Sequence, residues 1–358
     1  MAMAADAAAK PARRTAAPSA ALSSASPRRA RPAVTRAIAA RAWRPGLDRA
    51  HAGAAVAVLA GTALLALASP GAAAALGSAS GPLLLVGGAL IGVPHGSSDF
   101  VVAHRVMRPG LGAWWLPAFL AGYLALVALA MASWALMPLA TLLGFLALSG
   151  LHFGWGDMRA GAATARPALA FAVRATTPVL PIFLVHPAGV APFVAALGGV
   201  TEGGALHLLD ALRWPLGLPW GVALALVTLP PLLGDARSRV AGRDAGELLA
   251  VALAAVVLPP LLGFGLYFCL VHAPRHMAEL AADHHPTRPA AAARLVAAVV
   301  VPSALVCLAL LYASWDGLAG LLDTETLVTW SLRVIAALTV PHMALEACAA
   351  WRTRAPGA

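Results

Sequence analysis

Residues 115–136 have the sequence WLPAFLAGYLALVALAMASWAL, which contains no charged side chain. A helix needs about 20 consecutive apolar residues to cross a bilayer, so this segment is long enough by itself. The whole 358-residue chain has the same character, because 60% of its residues are hydrophobic and 11% are charged. A soluble domain carries about 25% charged residues. The sequence therefore predicts an all-α integral membrane protein.

Ten apolar segments can be drawn along the chain, and together they predict a polytopic helical bundle with about ten transmembrane helices. The least secure boundary lies near Gly263 and Gly265, where one broken helix would reduce the count to nine. Residues 46–358 are expected to form a single transmembrane domain. The approximate bounds of the segments are 51–69, 81–97, 115–136, 139–156, 168–186, 215–233, 247–262, 264–281, 295–314 and 327–350.

Basic residues in the short loops predict the orientation, because Lys and Arg concentrate on the cytoplasmic side of a membrane. Arginines follow every even-numbered segment, as Arg105 and Arg108 follow the second. Acids such as Glu202 and Asp323 lie in the opposite loops. Ten spans satisfy this rule at every loop. The sequence thus predicts a multi-pass protein of the cell membrane with its N-terminus in the cytoplasm.

The N-terminal tail carries most of the positive charge. Residues 1–50 contain ten Lys and Arg and two acids, and so account for +8 of the net charge of +10. Because the charge belongs to the tail, it gives no argument for a nucleic-acid partner. We expect residues 1–45 to be a disordered basic tail, rich in Ala, Arg, Pro and Ser. The alternative is a transit peptide.

Five of the eleven histidines lie near the cytosolic ends of even-numbered segments. Polar groups inside a bilayer normally face the bundle interior, so four helices would direct imidazoles at one layer. A single membrane histidine more often hydrogen-bonds a neighbouring helix. Five at one depth, two of them four residues apart on one helical face, favour a metal site. They are His95 in GVPHGSSD (92–99), His152 in HFGWGD (152–157), His272 and His276 in HAPRH (272–276), and His342 in VPHM (340–343).

Acids follow four of the five histidines, all except His272, by three to five residues in the sequence. A ligating imidazole usually donates its other N–H to a carboxylate or carbonyl, which fixes the ring. These acids are candidates for that partner, although they would also be ordinary charges at helix ends. They are Asp99, Asp157, Glu279 and Glu346.

The chemistry of the donors narrows the type of site. None of the three cysteines joins the cluster, which argues against structural zinc and iron–sulfur sites. Imidazoles suit iron, copper, zinc or nickel. A haem protein and a metal or proton transporter remain alternatives, although a transporter would need polar groups along a complete membrane path. Apolar and aromatic surroundings suit a lipophilic substrate, and the candidate tunnel residues are Phe153, Trp155, Phe264, Tyr267 and Phe268.

The order of the motifs PHGxxD, HFGxxD, HxxRH and PHM resembles the Brp/Blh family of bacterial membrane β-carotene 15,15′-dioxygenases. The resemblance covers roughly residues 85–350. It implies Fe(II) held by His95, His152, His272 and His276, and we expect no catalytic residue beyond this metal centre. The distribution of basic residues places the metal centre toward the cytoplasm. The resemblance also implies cleavage of β-carotene by O₂ into two retinals, for which a rhodopsin is a candidate recipient. His342 would be a fifth ligand, a hydrogen-bond partner of the ligands or a helix contact, and we favour the second.

Overall fold

The computed structural model describes residues 44–158, 166–233, 239–318 and 324–354. Within these ranges every regular element is helical and no strand occurs, so the predicted all-α class is confirmed. The proposed tail, residues 1–45, lies outside the described residues except for its last two, which begin the first helix.

Short interruptions separate the helices, and two of these interruptions are π-helical turns. The helices are α1 (Arg44–Ala68), α2 (Pro70–Gly87), α3 (Val93–Gly96), α4 (Asp99–Leu111), α5 (Trp115–Leu136), α6 (Pro138–Asp157), α7 (Pro167–Thr176), α8 (Leu180–Val185), α9 (Pro187–Gly198), α10 (Glu202–Leu233), α11 (Arg239–Val257), α12 (Pro260–Tyr267), α13 (Ala273–His284), α14 (Pro289–Leu318) and α15 (Thr324–Arg354).

Six stretches of the described chain are long and apolar enough to cross a membrane. The predicted count of about ten is therefore not confirmed, because the predicted spans 168–186, 247–262 and 264–281 are not among them. Large apolar side chains remain exposed on the helices, as expected for surfaces that face lipid. The six stretches are Leu47–Ala68, Pro70–Leu136, Pro138–Asp157, Glu202–Leu233, Pro289–Tyr312 and Thr326–Arg352.

Prolines and charges account for the segments that do not qualify. The predicted fifth span divides into α7 and α8 near Pro178 and Pro181. It divides there because proline lacks a backbone N–H and breaks a helix. The first half of α11 carries several charged residues. The break expected near Gly263 does not occur there, because Gly263 lies inside α12. The predicted eighth span is instead divided by the π-helical turn that follows α12.

The two π-helical turns, Gly88–Gly92 and Phe268–His272, are followed by the same pattern of residues. Each is followed at the second residue by a proline, Pro94 or Pro274. In each, the N–H of the residue before that proline donates to the carbonyl five positions back. A proline ring would clash with an α-helical carbonyl four positions back, and a wider turn avoids that clash.

Small residues allow α1 and α11 to pack closely. Ala63 and Leu59 of α1 and Ala254 of α11 are fully buried at this contact. The same apolar cluster includes Tyr267 and Val271. The second π-helical turn therefore packs against this pair of helices.

Candidate metal centre

Five imidazoles meet in one cluster, and they are the five predicted from the sequence. The ring of His152 lies 4.5 Å from that of His272 and 5.0 Å from that of His342, centroid to centroid. The ring of His95 lies 5.7 Å from that of His276, which is 5.2 Å from His342. The histidines come from α3, α6, the second π-helical turn, α13 and α15, so residues far apart in sequence form the cluster.

Three of these histidines bring their ring nitrogens closest together. One nitrogen each of His95, His152 and His272 lies within 4.8 Å of the others. The Nε2 atoms of His152 and His272 are 2.8 Å apart. Nitrogens that share one ion at a bond length of about 2.1 Å are separated by roughly 3–4 Å. This triad therefore has the spacing to hold a metal ion, and His276 and His342 border it through their rings.

Several ring nitrogens are buried without a protein partner. Nε2 of His95, Nε2 of His342 and Nδ1 of His272 have no hydrogen-bond partner within the described ranges. Leaving a buried polar group unpaired costs about 1–3 kcal/mol. Nδ1 of His272 is 3.8 Å from Oδ1 of Asp157, which is too far for a hydrogen bond. Since neutral imidazole nitrogens are metal ligands, the unpaired Nε2 atoms of His95 and His342 fit a transition-metal ion.

Oxygen atoms of the protein contact the Nδ1 atoms of two of the rings and fix their orientation. Nδ1 of His95 contacts the carbonyl oxygen of Gly92. Nδ1 of His342 donates to Oδ1 of Asp99 at 2.6 Å. Asp99 thus pairs with a histidine of another helix, although in the sequence it follows His95 by four residues. The hydroxyl of Tyr123, a residue that sequence reasoning missed, donates to Oδ2 of Asp99 at 3.1 Å.

Asp157 belongs to a buried ionic group beside His272. The hydroxyl of Tyr267 donates to Oδ2 of Asp157 at 2.7 Å, and Nη1 of Arg275 donates to Oδ1 at 2.8 Å. The other arm of Arg275 donates to Glu247 of α11. Sequence reasoning missed Glu247, because nothing in the motifs connects α11 with the histidines.

Glu279 and Glu346 are half-buried on α13 and α15. Glu346 lies one turn after His342, but the Nδ1 atom of that histidine donates to Asp99 instead. A role for either glutamate in orienting a ligand remains a prediction.

An apolar cavity of about 720 Å³ adjoins the cluster, and His95, His152 and His342 form part of its wall. Carbon atoms cover nearly all of the rest. Leu120 and Leu124 of α5 and Val306 of α14 line the cavity, and each of these side chains remains exposed. One side of the cavity is therefore bounded by exposed apolar side chains of α5 and α14. Other aromatic side chains in its wall are Phe100, Phe119, Phe145, Phe183 and Phe193.

The aromatic residues predicted for a substrate tunnel divide into two groups. Phe153, Phe264 and Phe268 line the cavity. Trp155 and Tyr267 do not, so these two assignments are corrected. Trp155 is 62% exposed and lies against Phe171, whereas Tyr267 points its hydroxyl at Asp157. Proximity to a ligand in sequence does not determine which face of the helix a side chain occupies.

Phe264, Phe268 and His272 form a stacked ladder on one helical face. Their spacing of four residues places them above one another. The rings of Phe264 and Phe268 are 5.7 Å apart with an interplanar angle of 10°, and those of Phe268 and His272 are 5.8 Å apart at 13°. The ladder leads from the apolar cavity to the imidazole cluster.

Comparisons with known proteins confirm the resemblance inferred from the sequence. The family model described as beta-carotene 15,15′-dioxygenase matches residues 86–349. A relative from Halobacterium salinarum, the probable beta-carotene 15,15′-dioxygenase Blh, is 28% identical over 299 residues, which cover 76% of this chain and 84% of the relative. No solved structure matches the chain.

Proposed function

Because this chain belongs to the β-carotene 15,15′-dioxygenase family, we propose that it cleaves the central double bond of β-carotene with O₂ and forms two molecules of retinal. Each carbon of the broken bond receives one oxygen atom, so the reaction needs no external reductant. The observation that carries this proposal is the cluster of imidazoles in the wall of an otherwise apolar cavity.

The metal of the proposed enzyme is Fe(II), held by His95, His152, His272 and His276. The first three are supported by the spacing of their nitrogens, and the fourth by its place in the cluster one turn after His272. Iron would supply the reactivity toward O₂ that no side chain of the protein has. The protein's own part is to present neutral nitrogen ligands, bind the polyene and exclude water.

The cavity suits a long hydrocarbon for physical reasons. β-Carotene has no polar group, and transferring apolar surface out of water is favourable by about 25 cal/mol per Å². The parallel rings of Phe264 and Phe268 offer flat apolar faces to a conjugated chain. Entry at α5 and α14 would let the substrate pass from lipid to the cavity without crossing water.

The remaining assignments extend this proposal to the whole protein. Residues 46–358 form the transmembrane catalytic domain, in a multi-pass arrangement in the cell membrane with the imidazoles toward the cytoplasm. The family match within 86–349 and the exposed apolar helices support this arrangement. Retinal released into the bilayer would be available to a rhodopsin.

Expression in bacteria that synthesise β-carotene tests the proposal. We expect loss of the orange colour, appearance of retinal and purified protein that contains iron without a Soret band. Replacing His272 by alanine should abolish both iron and retinal. His207→Ala removes an exposed histidine of α10 and serves as the matched control with full activity. Intact carotenoid in cells that contain folded, iron-loaded protein would refute the proposed activity, and a Soret band would refute the non-haem centre.

A further inference from the structure

The sequence left His342 without a defined role, but its environment is that of a ligand. The side chain is buried in α15, with the whole residue 4% exposed. Its ring lies among three others, 5.0 Å from His152, 5.2 Å from His276 and 5.5 Å from His95, centroid to centroid. Its Nε2 atom has no hydrogen-bond partner in the described part of the chain. A histidine that served only helix packing would be expected to use both ring nitrogens.

Asp99 fixes the tautomer of this ring. Oδ1 of Asp99 accepts from Nδ1 of His342 at 2.6 Å, so Nδ1 carries a proton, and in the neutral ring the lone pair lies on Nε2. The carboxylate is itself 2% exposed and begins α4, where the helix dipole favours negative charge. The hydroxyl of Tyr123 donates to its second oxygen at 3.1 Å. Side chains from α4 and α5 therefore hold the imidazole with a free nitrogen beside the other histidines.

His276 makes an informative comparison. Its Nε2 atom lies 3.5 Å from the hydroxyl of Ser98, and the residue is partly exposed. It therefore has a polar neighbour within the protein, whereas Nε2 of His342 has none within the described ranges. The environment of His342 is thus at least as suited to a metal as that of His276.

We propose that His342 binds the metal directly through Nε2, with Asp99 and Tyr123 as positioning residues. This assignment replaces the preference from sequence for a hydrogen-bond partner of the ligands. It rests on the proposed metal centre, but it does not depend on which substrate the enzyme cleaves. The site would then draw imidazoles from α3, α6, the second π-helical turn, α13 and α15.

The test uses Fe(II) titration and X-ray absorption of the full-length protein in detergent. In the wild type, the absorption data should show one more imidazole than in iron-saturated His342→Gly. That variant should bind Fe(II) at least 100-fold more weakly, and added imidazole should restore binding by filling the vacated space. His207→Ala is the control and should match the wild type. Wild-type affinity and an unchanged imidazole count in His342→Gly would overturn the proposal.

Asp99→Asn retains His342 and tests whether this histidine binds the metal if His342→Gly does not fold. Loss of the carboxylate should weaken Fe(II) binding about 10–100-fold, the range found when a group that orients a ligand is removed. The absorption spectrum should change with it, and Tyr123→Phe should have a smaller effect in the same direction. Wild-type affinity and spectrum in Asp99→Asn would contradict the assignment. Iron binding through His342 without cleavage of β-carotene would instead refute only the proposed function.

Discussion

Gly92 is the point at which the two π-helical turns touch, and replacing it by alanine would perturb the site from within. A Cβ atom at this position would lie 2.9 Å from Cε1 of Phe268 and 3.5 Å from Cδ1. Carbon atoms in good contact are about 3.5–4.0 Å apart, so the ring must retreat by roughly 0.6 Å or more. Phe268 is buried between His95, His272 and Phe264, so a shift of its ring changes its contacts with these neighbours.

The displaced ring would carry the disturbance to a proposed ligand. Phe268 stacks on His272 at 5.8 Å and meets His95 edge-on at 5.3 Å. Forcing extra volume into a packed core costs about 1–3 kcal/mol. Misplacing reacting groups by about 1 Å can cost about 100-fold in rate. For the smaller shift expected in Gly92→Ala, we predict a loss of roughly 10-fold in the rate of retinal formation, together with lower stability.

Gly88 provides the matched control, because it lies in the same π-helical turn and a Cβ atom there would meet nothing within 4 Å. Thermal unfolding in detergent and the rate of retinal release should be measured for both alanine variants. Gly88→Ala should stay within about 0.5 kcal/mol of the wild type. If Gly92→Ala were as stable and as active as Gly88→Ala, the contact with Phe268 would not position the site.

Three further variants test other parts of the structure. Gly156→Ala would place a Cβ atom 3.1 Å from Cε1 of His272. We expect the variant to bind Fe(II) about 10-fold more weakly in a titration. Unchanged affinity would show that this contact does not position His272. Arg275→Met would remove the cation that bridges the buried carboxylates of Asp157 and Glu247. Unfolding in mixed micelles should show a loss of about 3–5 kcal/mol, and a loss below about 1 kcal/mol would refute the buried ionic group. Trp351→Cys introduces a thiol at an exposed position near the end of α15, in a chain whose three native cysteines are replaced by alanine. It should react with a membrane-impermeant maleimide only in inverted vesicles, since the predicted orientation places it in the cytoplasm, and labelling of intact cells would reverse that orientation.

The sequence predicts the histidine cluster well, because composition and spacing report on depth in the membrane. His95, His152 and His342 lie at corresponding ends of separate apolar segments, and helices that run through one bilayer bring such positions to one level. His272 and His276 share a helical face by their spacing alone. The structure brings all five together as expected.

The partners of the imidazoles are less accessible to sequence reasoning. Asp99 follows His95 by four residues, yet it orients His342, which is 243 positions away. Such a pairing depends on how α4 and α15 pack, and no local pattern reports that. Tyr123 carried a detectable signal, since it is the single tyrosine of an uncharged 22-residue helix. Its hydroxyl needs a partner inside the membrane, and the nearest acid supplies one.

The number of spans was hard to predict for a related reason. Hydropathy does not distinguish a helix that crosses the membrane from short helices buried within a bundle. The apolar segment 168–186 becomes two helices, α7 and α8, at positions where proline removes backbone donors. Glu247 is buried against Arg275 inside the protein, so the charged half of α11 need not face lipid.

The two π-helical turns explain how continuous helices can build a compact metal site. Each turn inserts one residue relative to an α-helix, and one residue corresponds to a rotation of about 100°. Without the inserted residue, His95 and His276 would each be rotated by about 100° relative to the helix that precedes the turn. Pro94 and Pro274 favour the wider turns, and Gly92 lets the two segments touch at Phe268. The residues that interrupt the helices are thus the same ones that aim the imidazoles at a common point.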